Sequence, residues 1–164
     1  DDTLYGGTNT SDAFISNDTL HGDAGADILW GLSGDDVLMG GTGNDVLLAG
    51  VGDDTLYSSD DRDTMRGEGG ADRFVFVAGT TTADIVKDFS TSEGDMLDVS
   101  SMFIGYDAST DLITDFVKIT ENGSNSLLLI DNDGNGDSYT WIATLQNVTG
   151  LTDELALLNS GNLI

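Results

Sequence analysis

The sequence predicts an all-β chain: a solenoid of short parallel strands over the first half, then a β-rich closing segment. Three observations carry this. Between Gly22 and Phe76, Asp recurs every nine residues, at Asp27, Asp36, Asp45, Asp54, Asp63 and Asp72, and an earlier copy takes the register back to Asp18. An apolar residue stands two places after each Asp, at Leu20, Leu29, Leu38, Leu47, Leu56, Met65 and Phe74. Glycine stands two places before it at Gly25, Gly34, Gly43, Gly52 and Gly70. Self-similarity at a fixed period is the signature of a repeat architecture.

The chain divides into a repeat region, 1–76, and a closing region, 77–164. Residues 1–12 read as the tail of an upstream repeat, DDTLYGG, plus a loop; the register breaks between Gly6 and Asp12. In each nonapeptide of 13–76, six glycine-rich residues ending in Asp suit a tight turn, because glycine reaches φ > 0 without a Cβ clash. The last three residues make one rung of a stacked sheet, with the apolar residue inward and its neighbours outward. Two units then form one coil. Turns on one side carry Asp18, Asp36, Asp54 and Asp72, and turns on the other carry Asp27, Asp45 and Asp63. Outward positions on one sheet are Ile28, Trp30, Val46 and Leu48, a face apolar enough to need covering. The closing region is expected to cover it. The other sheet shows Thr19, His21, Val37, Met39, Thr55 and Tyr57 to the outside.

Stacking brings like charges together. Rungs lie roughly 4.8 Å apart, and two carboxylates at that spacing repel by about 3.5 kcal/mol at an effective dielectric of 20, or about 1 in bulk water. A divalent cation between successive turns reverses the sign. An all-oxygen donor set of carboxylates and turn carbonyls, in a flexible geometry, favours Ca²⁺ over Mg²⁺. Composition agrees. Thirty Asp and Glu face five Lys and Arg, a formal charge of −25, while 38 % of residues are apolar. This suits a chain that is unfolded without cations and folded with them. Nucleic acid and anionic membrane surfaces are poor partners for such a charge. There is no cysteine, so metal stands in for the disulfides of small extracellular modules. No apolar run is long enough to span a membrane, and no signal peptide is visible.

After Phe76 the period ends. RFVFV extends the last rung; ADIVKDF (83–89) and MLDVSSMF (96–103) read as strands. Residues 105–115 form a polar connection, and FVKIT, LLLI and YTWIATL form antiparallel hairpins. Thr152 to Asn159 reads as a short helix with Thr152 as N-cap, Asp153 and Glu154 in the first turn and Gly161 as stop.

GGTGNDVLL and its neighbours resemble the RTX proteins, whose repeat is G-G-x-G-x-D-x-U-x. The resemblance implies a parallel β-roll with Ca²⁺ held between consecutive turns on the same side. Carried over by position, the pairs are Asp18/Asp36, Asp36/Asp54, Asp54/Asp72, Asp27/Asp45 and Asp45/Asp63, up to five ions, with Gly22, Gly25, Gly31, Gly34, Gly40, Gly43, Gly50, Gly52 and Gly70 shaping the turns. In SSDDRDTMR, Ser58, Ser59 and Asp61 replace three glycines, which makes Asp45/Asp63 the weakest pair; AFISND also lacks its glycines, which puts Asp18/Asp36 next. GGADRFVF, ADIVKDF, GDMLDVS and the LLLIDNDGNGDSYTWIATLQNV stretch resemble the segment that closes such rolls and leads into an uncleaved C-terminal type I secretion signal. The resemblance implies a transient type I exporter partner, a secreted or bacterial cell-surface location, and a parent that is a large adhesin. The alternative parent is a secreted protease, lipase or epimerase, and a monomer is expected.

DNDGNGD (131–137) offers a second metal reading: Asp131, Asp133, Asn135 and Asp137 alternate, with Gly136 at the sharp turn of an EF-hand-like loop. The bidentate Glu expected at its twelfth position is replaced by Ile142. An Asp/Asn/Gly hairpin turn is the equal alternative. No catalytic constellation stands out. His21 is the single histidine, no HExxH or GxSxG occurs, and no cysteine nucleophile exists, so the chain reads as a non-enzyme. A different class is a carbohydrate or surface-ligand module using Trp30, Tyr57 and Trp141; Thr19 and Thr55 alone do not make an ice-binding ladder.

Overall fold

The computed structural model describes residues 1–6, 16–59, 61–77, 82–103, 106–107, 111–151, 154, 157–158, 161 and 163. Strands alternate between two parallel stacks. One contains β1 (Thr3–Tyr5), β3 (Ile28–Ser33), β5 (Val46–Val51), β7 (Thr64–Gly69) and β9 (Asp84–Val86). The other contains β2 (Thr19–His21), β4 (Val37–Met39), β6 (Thr55–Tyr57), β8 (Arg73–Val75) and β10 (Met96–Asp98). The fold is a parallel β-solenoid, as the period requires.

Register places the apolar residues in two facing columns. Leu4, Leu29, Leu47, Met65 and Val86 align on one sheet; Leu20, Leu38, Leu56, Phe74 and Leu97 align on the other. All but Leu4 are buried. Each such side chain contributes about 1.5–3 kcal/mol, and each repeat supplies one, so the core alone is thin for its length. The rungs of the larger sheet are longer than three residues. β3, β5 and β7 each run to six, passing through left-handed residues at Leu32 (φ 80°), Gly50 (φ 123°) and Glu68 (φ 70°).

The end of the nine-residue period at residue 76 is not the end of the stacking, because β9 and β10 add a further rung to each sheet. RFVFV stops as a strand at Val75. Beyond a 3-10 turn (Ser100–Met102) and α1 (Ile113–Phe116) come β11 (Val117–Asn122), β12 (Asn125–Ile130) and β13 (Thr140–Leu145). These three are antiparallel to one another, and β13 pairs in parallel with β9. The polar connection expected over 105–115 thus includes the start of a one-turn helix.

One expectation is corrected. Among the described residues, the strands of the closing region do not lie over the outer face bearing Ile28, Trp30, Val46 and Leu48. They extend that sheet edge to edge, in the order β9-β13-β12-β11, and Phe116, Ile119, Leu128, Ile130 and Leu145 join the same buried cluster as the solenoid's apolar columns. Strand pairing satisfies the backbone donors at the open end of the solenoid, a larger demand than covering partly exposed side chains. Trp30 is half-buried and stacks on Tyr5 at 6.3 Å, and Ile28 is exposed. The expected loop over 7–12, and most of the helix expected over 152–159, lie outside the described residues; Leu157 packs in the core and Glu154 accepts the Ile119 N–H. No helix among the described residues is long and apolar enough to cross a membrane.

Candidate metal centre

The turns are built as the glycines dictate. Gly25, Gly34, Gly43, Gly52 and Gly70 hold φ between 121° and 146°, a region in which an L side chain is strained. Gly22, Gly31 and Gly40 serve a different purpose: space. A Cβ on Gly22 would stand 2.5 Å from the Gly40 carbonyl oxygen and 2.8 Å from Asp27 Oδ2. On Gly31 it would stand 2.5 Å from both the Ala49 carbonyl oxygen and Asp36 Oδ2, and on Gly40 it would collide with Asp45 Oδ2. Oxygen atoms from the acidic turn and from the next coil therefore converge where a side chain would be.

The two oxygens of each Asp have different surroundings. Oδ1 accepts a hydrogen bond from the backbone N–H of the Asp one coil earlier. Asp36 accepts from Asp18 at 2.7 Å, Asp54 from Asp36 at 2.7 Å, Asp72 from Asp54 at 3.0 Å, Asp45 from Asp27 at 2.8 Å and Asp63 from Asp45 at 2.9 Å. All five expected pairs are brought together. Oδ2 of Asp27, Asp36, Asp45 and Asp54 is buried and has no hydrogen-bond partner. An orphaned buried carboxylate oxygen costs several kcal/mol unless something else pairs with it.

Charge follows the same pattern. Burial pushes Asp54 and Asp63 up to about 6 and Asp72 and Asp84 up to about 7, against the lowering effect of the N–H donors; neighbouring carboxylates add to the rise. Burial likewise raises Asp36, Asp45 and Asp95. Among the described residues, no three acidic or histidine side chains make a side-chain-only metal cluster. The donor set is instead mixed, with paired carboxylates, turn carbonyls and no nitrogen or sulfur, and it fits a hard divalent cation such as Ca²⁺.

Two turns depart from the rest, and both are the ones poor in glycine. In SSDDRD, Asp61 takes φ 71° at the position held elsewhere by Gly25, Gly34, Gly43, Gly52 and Gly70. Asp63 Oδ2 accepts from the Ser59 N–H at 3.1 Å and the Ser59 hydroxyl at 3.2 Å, and that hydroxyl also reaches the Gly41 carbonyl. A serine thus bridges the gap between Asp45 and Asp63. At the other departure, the Ser16 hydroxyl donates to Asp18 Oδ2 at 2.8 Å. In the loop 131–137, Asp131 Oδ2 accepts from the N–H groups of Gly136 and Asp137 at 2.9 and 3.1 Å, and Asn135 Oδ1 accepts from Asp137 N–H. Asp133 Oδ1 accepts from Asn135 N–H. The oxygens of this loop turn on their own backbone, as in a hairpin turn.

Three acids escape a nine-residue period. Asp2 N–H donates to Asp27 Oδ1, Asp63 N–H to Asp84 Oδ1 at 2.9 Å, and Asp72 N–H to Asp95 Oδ1 at 3.1 Å. They extend the ladder beyond the repeats. The signal that finds them is the triplet Asp-x-apolar taken without the period: Asp2-Thr3-Leu4, Asp84-Ile85-Val86 and Asp95-Met96-Leu97. His21 is exposed on its rung.

The family model for the RTX calcium-binding nonapeptide repeat (4 copies) matches residues 12–47, 39–74 and 48–82. No curated protein matches the chain. Among solved structures, the AlgE6R3 subunit of the Azotobacter vinelandii mannuronan C5-epimerase is similar at 24 % identity and a TM-score of 0.47, over 100 % of this chain and 78 % of that one. The AlgE6R2 subunit of the same enzyme is similar at 24 % identity and a TM-score of 0.45, over 90 % of this chain and 87 % of that one. RTX calcium-binding nonapeptide repeats are thus found within residues 12–82, the stretch that holds the stacked acidic turns.

Proposed function

We propose that this chain is a calcium-responsive structural module, not an enzyme, that folds when Ca²⁺ fills the corners of its roll outside the cell. The observation that carries the reading is the row of buried, unpartnered Oδ2 atoms on Asp27, Asp36, Asp45 and Asp54. These oxygens, with the carbonyls of Gly40 and Ala49 beside them, would hold the ions. The ion supplies positive charge where burial otherwise makes ionisation unfavourable. The chain supplies the fixed spacing, through the Oδ1 bonds that hold successive acids in register.

Extracellular calcium modules work with dissociation constants around 10⁻⁴–10⁻³ M. At cytosolic calcium levels such sites are empty, and repulsion among the acids favours an extended chain suited to export. The finer reading is that the closing region carries a type I secretion signal and that the module ends a large secreted or cell-surface adhesin. Far-UV circular dichroism tests the core of this reading: a coil-like spectrum in chelator and a strand-rich one in millimolar Ca²⁺ are expected, and a strand-rich spectrum in chelator would defeat it. Export of a passenger fused to residues 77–164, through a type I exporter, tests the secretion part separately.

A further inference from the structure

We propose that Asp88, in the closing region, is a positioning residue for calcium: its carboxylate aims the Gly67 carbonyl at the ion held by Asp54. This rests on the calcium reading above. It adds no ion to the roll; it names the side chain that orders the last carbonyl donor on this corner.

In the larger sheet each turn begins inside a six-residue rung, and its first peptides are held by the coil that follows. Gly6 N–H, at the head of this column, donates to the Trp30 carbonyl one coil on at 2.7 Å. Register carries the column through Gly31 and Ala49 to Gly67, which lies between the pairs Leu48/Arg66 and Gly50/Glu68. Carbonyls of the column point back to the acid of the coil before. The Gly31 carbonyl and Asp18 Oδ2 crowd Gly6, and the Ala49 carbonyl and Asp36 Oδ2 crowd Gly31. One further step of the same register sets the Gly67 carbonyl toward Asp54, whose Oδ2 is buried without a hydrogen-bond partner.

At Gly67 the following coil runs out. β7 has six residues, whereas β9 beside it has three and is paired with Thr64 and Met65. The Lys87 N–H still reaches the Met65 carbonyl, at 3.1 Å. Beyond it a side chain takes the place of backbone. Asp88 Oδ1 accepts the Gly67 N–H at 3.1 Å, and Oδ2 accepts the Glu68 N–H at 3.0 Å. The second bond decides the matter. The Glu68 N–H and the Gly67 carbonyl belong to one trans peptide. Pinning the N–H on Asp88 turns the carbonyl the opposite way, to the preceding coil and Asp54. A bond to a full negative charge also polarises that peptide and makes its oxygen a better donor to a cation. Arg66 Nε donates to Asp88 Oδ2 at 3.2 Å and offsets the added charge.

The opposite corner supplies the contrast. There the last repeat turn begins at Ser58, whose N–H donates to the Val75 carbonyl at 2.9 Å, because the next coil is present. Only the corner of Asp54 relies on a carboxylate for this task.

Calcium release from the loaded full chain into excess chelator, followed by stopped flow, tests this together with amide hydrogen exchange in millimolar Ca²⁺. Asp88→Ala is expected to speed the release of one ion per chain by about tenfold or more, with the others within about twofold. The Gly67 and Glu68 amides should lose protection by a similar factor. Asp88→Asn keeps one acceptor oxygen and is expected to fall between Asp88→Ala and wild type; it carries the test alone should Asp88→Ala not fold. Arg66→Ala leaves both acceptors in place and is expected to change release by less than about threefold. Wild-type release of every ion from a folded Asp88 variant overturns the proposal. So does unchanged protection at Gly67 and Glu68. Equal acceleration of all the ions also overturns it, since that marks a clip that only stabilises the fold. If the wild-type chain binds no calcium, the calcium reading itself falls; if it binds calcium and the Asp88 variants fail the test, this inference falls alone.

Discussion

The two corners of the roll carry the same ladder of acids but neutralise it differently. On the corner of Asp36, Asp54 and Asp72, a second row of carboxylates runs outside the first: Asp53 N–H donates to Asp35 Oδ1 at 3.0 Å and Ala71 N–H to Asp53 Oδ1 at 2.8 Å. On the corner of Asp27, Asp45 and Asp63, the equivalent outer residues are Ala26, Asn44 and Arg62, with Arg62 N–H donating to Asn44 Oδ1 at 3.0 Å. Ser59 then spans the last gap. Each corner leads into a column of buried apolar residues, although the rungs after the second corner are six residues long and those after the first are three. What also differs is how much positive charge each corner needs from outside, and the first corner needs more.

The sharpest way to break this comparison is a matched pair of substitutions. Asp54→Asn keeps the bond to Asp36 N–H but removes a charge from an oxygen that has no other partner. It is expected to cost about 2–3 kcal/mol in saturating Ca²⁺, read as a lower thermal midpoint and a right-shifted calcium titration. Asp63→Asn, whose Oδ2 already has Ser59, is expected to cost under about 1 kcal/mol. Equal effects would mean that the corners are equivalent.

Acidity gives the next effect. Asp54, Asp63, Asp72 and Asp84 have folded values raised by burial to about 6 or 7, above the ordinary 3.8. A raised acid stabilises the fold in its protonated form, fully below the unfolded value, and that contribution is lost as pH rises through the folded value. In chelator, residual strand content should therefore be greatest below about pH 4 and fall as pH rises through about 6 to 7. In calcium the dependence reverses, since protons compete for the same oxygens: the calcium midpoint should rise as pH drops below 7. A calcium-free spectrum that does not change between pH 5 and 8 would contradict this.

Ser59→Gly sharpens the comparison further. It removes the bridge to Asp63 and makes the second corner resemble the first. Stability in chelator should drop by about 1 kcal/mol, while the gain on adding calcium grows. The smallest expected effect is calcium-independent: Glu68 is exposed and held at φ 70°, so Glu68→Gly should stabilise by about 1 kcal/mol in denaturant melts with or without Ca²⁺.

Much of this was legible in the sequence because one period sets both the core and the acids. Leu29, Leu47 and Met65 had to share a column once Asp27, Asp45 and Asp63 shared a corner. The departures of Ser59 and Asp61 from glycine also pointed to the turn that proves different. Asp84 and Asp95 were hidden because the connections before them are three and five residues longer than a repeat step, at 21 and 23 against 18. A period search loses them although Val86 and Leu97 keep the Asp-x-apolar triplet. The placement of the closing hairpins was not legible either. An apolar outer face argues for cover, but the unpaired edge of β9 is the stronger demand, and only tertiary pairing shows that β13 meets it.

The most direct test of the account is a crystal structure of the chain grown in millimolar Ca²⁺, with anomalous scattering recorded. The account predicts discrete calcium peaks about 2.3–2.6 Å from the Oδ2 atoms of Asp27, Asp36 and Asp54. An ordered roll in which those oxygens meet only water or protein donors would contradict it.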